Sequence, residues 1–307
     1  MWYTEQIRLK GGIFSGRFSY MDIAVSQFFE SIRNPFLDAV AAFFSLFGEP
    51  LFMVVLICVA YWLVSKKLGE RLAVITFTSM LVNAGMKGWV GRARPYVAGD
   101  VSRVELHGLV DTMDLRPHES FPSGHSQING GVSMGFACHY RRLWLWIVAP
   151  IITLCVMWSR VYLGVHYLTD TLCGGALGIA FAFVWDILYE KLEEKKYWSL
   201  GGFALLSILV MILLPTKSTF EQAGMLIAGA IALPIEQKFI GFTDASGWKN
   251  RALRLLVGVG CVGIVFGAFS LLPFPFLQLI GWKFVKYFLT VLAATLLVPF
   301  LFKKLKI

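Results

Sequence analysis

The chain has 307 residues, 57% of them hydrophobic, 15% aromatic and only 15% charged, with a mean hydropathy of +0.67. Soluble domains carry about 25% charged residues, so a water-soluble globule is excluded: there is too little polar surface to cover one. The net charge is +9, from 28 basic and 19 acidic residues; in so apolar a chain that excess points to cytoplasmic loops and an anionic substrate rather than to nucleic acid.

The first twenty residues contain Glu5, Arg8, Lys10 and Arg17 and no apolar core, so no cleavable signal is expected. Insertion then relies on the first membrane helix itself. Residues 20–35 read as an amphipathic helix ending near Asn34-Pro35, which completes an N-terminal amphipathic segment, 1–35. The apolar stretch 36–47 is too short to span alone, and Gly48-Glu49-Pro50 breaks it. About nine spans are then predicted, at 51–64, 72–90, 123–140, 143–158, 171–189, 200–214, 221–233, 255–272 and 285–302. The expected fold is an all-α integral membrane protein, a helical bundle with every backbone group satisfied within its own helix. In the third span Gly124, Gly130, Gly131, Ser133 and Gly135 permit close helix packing. The longest hydrophilic segment is the loop from 91 to about 122. The five cysteines, Cys58, Cys138, Cys155, Cys173 and Cys261, lie singly in apolar segments and read as small buried hydrophobes.

Alternating loops sort the charges. One side collects Lys66, Lys67, Arg71, Arg141, Arg142, Lys191, Lys195, Lys196, Lys238, Lys249, Arg251, Arg254, Lys303, Lys304 and Lys306, and is expected to be cytoplasmic. The other side holds the N-terminus, the 91–122 loop and the turn around His166, so it faces outward. Lys87, Arg92, Arg94 and Arg160 also lie there, against the charge rule, and substrate binding would explain them.

Three clusters share that outward side. In the first, Lys87 and Arg94-Pro95, seven residues apart, are expected near one helical face and suit a many-oxygen anion. The second is Phe121-Pro122-Ser123-Gly124-His125-Ser126, a tight turn entering a helix. There Ser123 and the amides around Gly124 and His125 make an oxyanion site. The third is Ser159-Arg160 followed by His166 and Asp170, whose four-residue spacing puts an imidazole and a carboxylate on one helical face. Singly, each has a second reading: Lys87 and Arg94 snorkelling to head groups, Ser123 a plain N-cap, His166–Asp170 a pair anchoring a helix end.

Together the clusters argue for phosphoryl chemistry. Lys87, Arg94 and Arg160 would neutralise the phosphate, and His166 would attack phosphorus with Asp170 holding its tautomer. His125 would protonate the leaving oxygen and then activate water. The acids of the long loop, Asp100, Glu105, Asp111, Asp114 and Glu119, are scattered, so neither a metal site nor a cofactor is expected.

Lys87-x6-Arg94-Pro95, Pro122-Ser123-Gly124-His125 and Ser159-Arg160-x5-His166-x3-Asp170 resemble, in order, the three signature motifs of the type 2 phosphatidic acid phosphatase superfamily. The resemblance implies a catalytic core over 36–190, with His166 as nucleophile, Asp170 orienting it and His125 as acid/base. It implies phosphate binding by Lys87, Arg94, Ser123, Gly124 and Arg160. Residues 191–307 lie beyond that core as a C-terminal extension of about four helices. Their Glu236–Phe242 segment is similar to the C-terminal part of sphingosine-phosphate phosphatases, and the nine-span plan resembles glucose-6-phosphatase.

The expected activity is hydrolysis of a lipid phosphate or pyrophosphate, the partners being that lipid and the bilayer. Candidates are undecaprenyl pyrophosphate, phosphatidylglycerol phosphate, phosphatidic acid and sphingoid phosphates. A sugar-phosphate phosphatase and a phosphotransferase are alternatives. A non-catalytic transporter or lipid-binding scaffold predicts damage at His125, His166 or Asp170, and all three are intact.

Overall fold

A computed structural model describes residues 17–108, 110, 112, 115–191, 195–245, 247–271 and 280–307. The charge pattern of residues 1–16 and the loop acids Asp111 and Asp114 lie outside these residues.

The described chain is helical throughout its ordered elements. In order they are α1 (Arg17–Ser31), α2 (Pro35–Leu46), α3 (Pro50–Val59), α4 (Lys66–Val90), α5 (Pro95–Ala98), α6 (Gly124–Tyr140), α7 (Leu143–Tyr162) and α8 (Leu168–Lys191). Then follow α9 (Lys196–Leu213), α10 (Lys217–Ile235), α11 (Gly247–Ser270), α12 (Ile280–Leu292) and α13 (Val298–Leu305). Single π-helical turns, Ala60–Val64, Glu236–Ile240 and Ala293–Leu297, extend α3, α10 and α12.

Six of these helices are long and apolar enough to cross a membrane, and seven if α2 and α3, bent by 45° at their break, make one span. The protein is thus an all-helical integral membrane protein. Of the nine expected spans, α4 and α6 fall outside that set. α4 carries Lys66, Lys67, Glu70, Arg71 and Lys87. α6 has only 17 residues and contains His125, Gln127 and Asn129.

Helix boundaries follow local chemistry. Asn34 caps α2 by accepting a hydrogen bond from the Leu37 amide at 3.0 Å, and Pro35 stands at the first helical position. The first helix therefore stops at Ser31, ahead of the expected boundary. Pro50 has no N–H to continue α2, so the chain bends there. Thr216 opens α10 with a capping box to Thr219. The five cysteines are free thiols; Cys138 is buried and the others are half-buried.

The chain forms two compact units, 1–53 with 86–180 and 54–85 with 181–307. In the first, α6, α7 and α8 pack through small and polar groups. Asn129 Oδ1 accepts from Thr153 Oγ1 at 3.0 Å, tying α6 to α7. A Cβ on Gly174 would stand 2.3 Å from the Ser123 carbonyl oxygen, so α8 lies against the start of α6 only because that side chain is absent. A small core of Ala41, Tyr162, Leu163 and Val165, with Phe29, Leu37 and Trp158 against it, underlies the turn after α7. The outer face of α7 exposes Leu143, Trp144, Ile147, Ile151 and Leu154, the reverse of a soluble helix and suited to lipid.

The second unit is held by buried polar contacts between helices. Arg254 donates to the carbonyls of Trp62, Thr243 and Ile307. Trp185 Nε1 donates to Thr78 Oγ1 at 2.7 Å, and Arg71 pairs with Asp186 at 2.7 Å. Lys66 pairs with the buried Glu236 at 2.5 Å.

Candidate active site

Every residue expected to carry chemistry lies in the first unit. The turn Leu163-Gly164-Val165-His166-Tyr167 brings the third cluster together. Gly164 has φ +74°, and a Cβ there would stand 2.3 Å from the Ser102 carbonyl oxygen. Only glycine fits both the backbone conformation and the space.

That turn corrects the helical-face expectation for His166 and Asp170. α8 begins at Leu168, so His166 precedes it and Asp170 lies in its first turn. The two still meet, with His166 Nδ1 3.5 Å from Asp170 Oδ2. This is an electrostatic contact rather than a formed hydrogen bond, and Nδ1 has no hydrogen-bond partner among the described residues. Asp170, fully buried, is fixed by other donors. Its Oδ1 accepts from Arg92 at 2.7 Å, and its Oδ2 accepts from Ser120 Oγ at 2.5 Å and the Tyr167 amide at 2.9 Å.

His166 Nε2 points the other way and meets Arg94 Nη1 at 3.0 Å. The imidazole is 1% exposed. Burial, then the charges of Arg94, Arg160 and Lys87, hold it well below the usual imidazole range, so it is neutral. A neutral imidazole with an unprotonated nitrogen beside cations is chemically able to act as a nucleophile.

Arg94 and Arg160 are both deeply buried but differently engaged. α4 ends at Val90 and Gly91 turns with φ +60°, so Arg94 stands beyond the helix rather than two turns along it from Lys87. Its guanidinium donates to the carbonyls of Arg116 (2.8 Å), Glu119 (3.2 Å) and Val165 (2.8 Å) as well as meeting His166. Burial pulls it down to about 10, and it remains charged at neutral pH. Arg160, fully buried, uses Nη1 on Ser45 Oγ at 2.6 Å. Its Nε and Nη2 have no hydrogen-bond partner among the described residues. Each unsatisfied buried donor costs about 1–3 kcal/mol, more when charged, so these donors mark a place built for an anion.

The second cluster is split between capping and chemistry. Ser123, fully buried, is the N-cap of α6: its Oγ accepts from the Ser126 amide at 3.5 Å and the Ser126 hydroxyl at 3.1 Å. Its own amide donates to the Asp170 carbonyl at 2.9 Å, which ties the second motif to the third. Gly124 and His125 are the first residues of α6, where amides lack intrahelical acceptors and favour an anion. The His125 side chain meets Glu49 Oε1 through Nε2 at 2.9 Å. Lys87 closes the last turn of α4.

Several participants were not legible as site residues. Arg92 bridges Asp170 and the buried Asp22 of α1, at 2.7 Å to each, and lies 4.0 Å over the Tyr167 ring. Asp22 also accepts from the Thr169 amide at 3.0 Å and hydroxyl at 2.6 Å. Ser120 and Glu49 complete the surround. In the sequence Arg92 shows as a cation on the wrong side for topology that substrate binding would explain, not as the partner of Asp170, and Glu49 only as part of a helix break. Among the described residues no group of three or more His, Cys, Asp or Glu side chains is arranged to hold a metal ion.

Residues 70–193 match the family model described as PAP2 superfamily. Residues 220–307 match the model described as PAP2 superfamily phosphatase, transmembrane extension. The chain is 29% identical over 189 residues to phosphatidylglycerophosphatase B of Bacillus subtilis, covering 57% of this chain and 86% of that one. It is 28% identical over 187 residues to the lipid A 4'-phosphatase of Bacteroides thetaiotaomicron, covering 58% and 80%. Over 123 residues it is 32% identical to the lipid A 1-phosphatase of Rhizobium etli, covering 38% and 48%.

Proposed function

This chain belongs to the PAP2 superfamily of metal-independent membrane lipid phosphatases and carries its transmembrane extension, and we propose that it hydrolyses a lipid phosphate or pyrophosphate through a phosphohistidine. The observation that carries the reading is Arg160: a fully buried guanidinium with two unpartnered donors. Its charge, with those of Arg94 and Lys87, acts on His166. A phosphoryl group supplies the oxygens those donors lack.

In the first step His166 Nε2 forms a bond to phosphorus as the bond to the leaving oxygen breaks. Nε2 meets Arg94 Nη1, and Arg94 transfers this contact to a phosphoryl oxygen as substrate enters. Arg160, Lys87 and the amides of Gly124 and His125 take the remaining oxygens. The leaving oxygen receives a proton from His125. In the second step His125 removes a proton from water, the water oxygen bonds to phosphorus, and the P–N electrons return to His166. Asp170 steadies His166 throughout.

The substrate class follows from the surroundings and the relatives. The candidates are phosphatidylglycerol phosphate, undecaprenyl pyrophosphate, phosphatidic acid, sphingoid phosphates and phosphorylated lipid A, whose phosphates sit at a membrane interface. In the proposed topology α4 and α6 also cross, giving nine crossings. The catalytic core is 36–190, the extension is 191–307, and the site faces outward from the basic cytoplasmic loops.

The test is phosphate release by the purified protein in detergent, over a panel of these lipids and glucose 6-phosphate, with and without EDTA. Turnover of at least one lipid phosphate, unaffected by EDTA, is expected. Turnover of the sugar phosphate alone, or loss with EDTA that magnesium restores, overturns the reading.

A further inference from the structure

Glu49 belongs to none of the three signature clusters, yet its carboxylate is aimed at the acid/base histidine. It stands at the Gly48-Glu49-Pro50 break, where its amide donates to the Leu46 carbonyl at 3.1 Å and its carbonyl accepts from Met53 at 3.0 Å. The break is docked on the catalytic helices. Asn129 Nδ2 donates to the Phe47 carbonyl at 2.8 Å, and Asn129 is itself held by Thr153 of α7. A Cβ on Gly48 would stand 2.7 Å from His125 Cβ and 3.0 Å from the His125 carbonyl oxygen. The glycine therefore brings the break into backbone contact with the start of α6, and the next residue places Oε1 2.9 Å from His125 Nε2.

Two roles fit a carboxylate here: a plug in the phosphate pocket, or a holder of His125. Arg160 separates them. Its Nη1 is 3.9 Å from Glu49 Oε1 and bonded to Ser45, while Nε and Nη2 are unpartnered. A plug would satisfy those two donors. Glu49 instead sits beside the phosphate position and takes its hydrogen bond from the imidazole.

We infer that Glu49 is the positioning residue of His125: it fixes the Nε2–H tautomer, leaves Nδ1 as the atom that exchanges protons with the substrate, and favours the imidazolium form needed to protonate the leaving oxygen. This rests on the phosphatase reading above. The balance is that of the two steps already written. Nδ1–H of the imidazolium goes to the leaving oxygen as the P–O bond breaks, and Nδ1 recovers a proton from the attacking water. Glu49 keeps the Nε2–H hydrogen bond in both states.

The experiment compares kcat/KM, which reports formation of the phosphohistidine, for dodecyl phosphate and 4-nitrophenyl phosphate in detergent. An alkoxide needs a proton to leave, whereas nitrophenolate does not. Glu49→Gln is expected to lose about 100-fold on dodecyl phosphate and less than about 10-fold on 4-nitrophenyl phosphate, with Glu49→Asp recovering part of the loss. Glu49→Gln added to His125→Ala is expected to cause no further loss on 4-nitrophenyl phosphate, whose leaving group needs no proton. Equal losses of Glu49→Gln on both esters, or an additive loss in the double variant, overturn the assignment. If Glu49→Gln does not fold, Glu49→Asp carries the same comparison: a loss confined to dodecyl phosphate supports the role, and an equal loss on both overturns it. Wild-type protein active on neither these esters nor the lipid panel overturns the phosphatase reading, and this inference with it.

Discussion

Replacing Arg92 with methionine removes a cation that pairs with both Asp22 and Asp170. Asp22 is 1% exposed and Asp170 is fully buried, and Arg92 donates to each at 2.7 Å. Breaking a buried pair from one side leaves an uncompensated charge and costs about 3–5 kcal/mol. The chain relieves this by protonating a carboxylate. A protonated Asp170 no longer steadies the imidazolium-like charge on His166 as phosphorus is attacked. Turnover of the best lipid substrate is expected to fall by at least about 100-fold, or about 2.7 kcal/mol of transition-state stabilisation. Asp22→Asn is the control: it keeps the Arg92–Asp170 pair and should cost much less in both respects. The double variant should regain melting temperature relative to Arg92→Met, because one buried charge has gone, without regaining turnover. The assays are thermal unfolding in detergent and phosphate release. Arg92→Met with wild-type melting temperature and turnover, or Asp22→Asn as damaging as Arg92→Met, would refute the reasoning.

Arg160→Met should abolish turnover yet leave the melting temperature equal or higher, because two unsatisfied donors costing about 1–3 kcal/mol each are removed; a large fall in melting temperature would contradict this. His166→Ala should give no acid-labile phosphoenzyme after rapid quench with radiolabelled substrate, and His125→Ala should lose turnover while the protein still inserts; full activity in His166→Ala removes the nucleophile. Gly164→Ala forces a Cβ to 2.3 Å from the Ser102 carbonyl and strains the left-handed backbone. Strain of this kind costs about 1–3 kcal/mol, so both melting temperature and turnover should fall, and unchanged values would show that the turn does not set the His166 position. The neutral form of His166 attacks, and its folded value lies well below 6.5. The acid limb of kcat/KM that it governs should therefore lie below pH 6.5, and removing the Lys87 charge in a variant with residual activity should move that limb upward.

The phosphatase family was legible in the chain because each motif states its residue types, spacing and order locally. The same is true of the membrane character and the helix breaks: long apolar runs, a proline without an N–H and an asparagine before it act within a few residues. Helical extrapolation failed where tertiary contacts end a helix. Lys87 and Arg94 do not share a helical face, since α4 stops at Val90, and His166 precedes α8 rather than riding on it. Ser123 proved to be the N-cap, while the free donors belong to Arg160.

What only the tertiary structure decided is which group faces which. Asp22 is 147 residues from Thr169, Arg92 is 78 from Asp170, and Glu49 is 76 from His125. No periodicity reports such pairs, because they depend on how closely helices approach. Those approaches are set by missing side chains at Gly48, Gly164 and Gly174. The sequence by itself thus determined a membrane helical chain with phosphate-handling motifs. Packing decided that His166 Nε2 meets Arg94 while Nδ1 lies beside Asp170, that Asp170 is locked by Arg92, and that a carboxylate outside every motif meets His125.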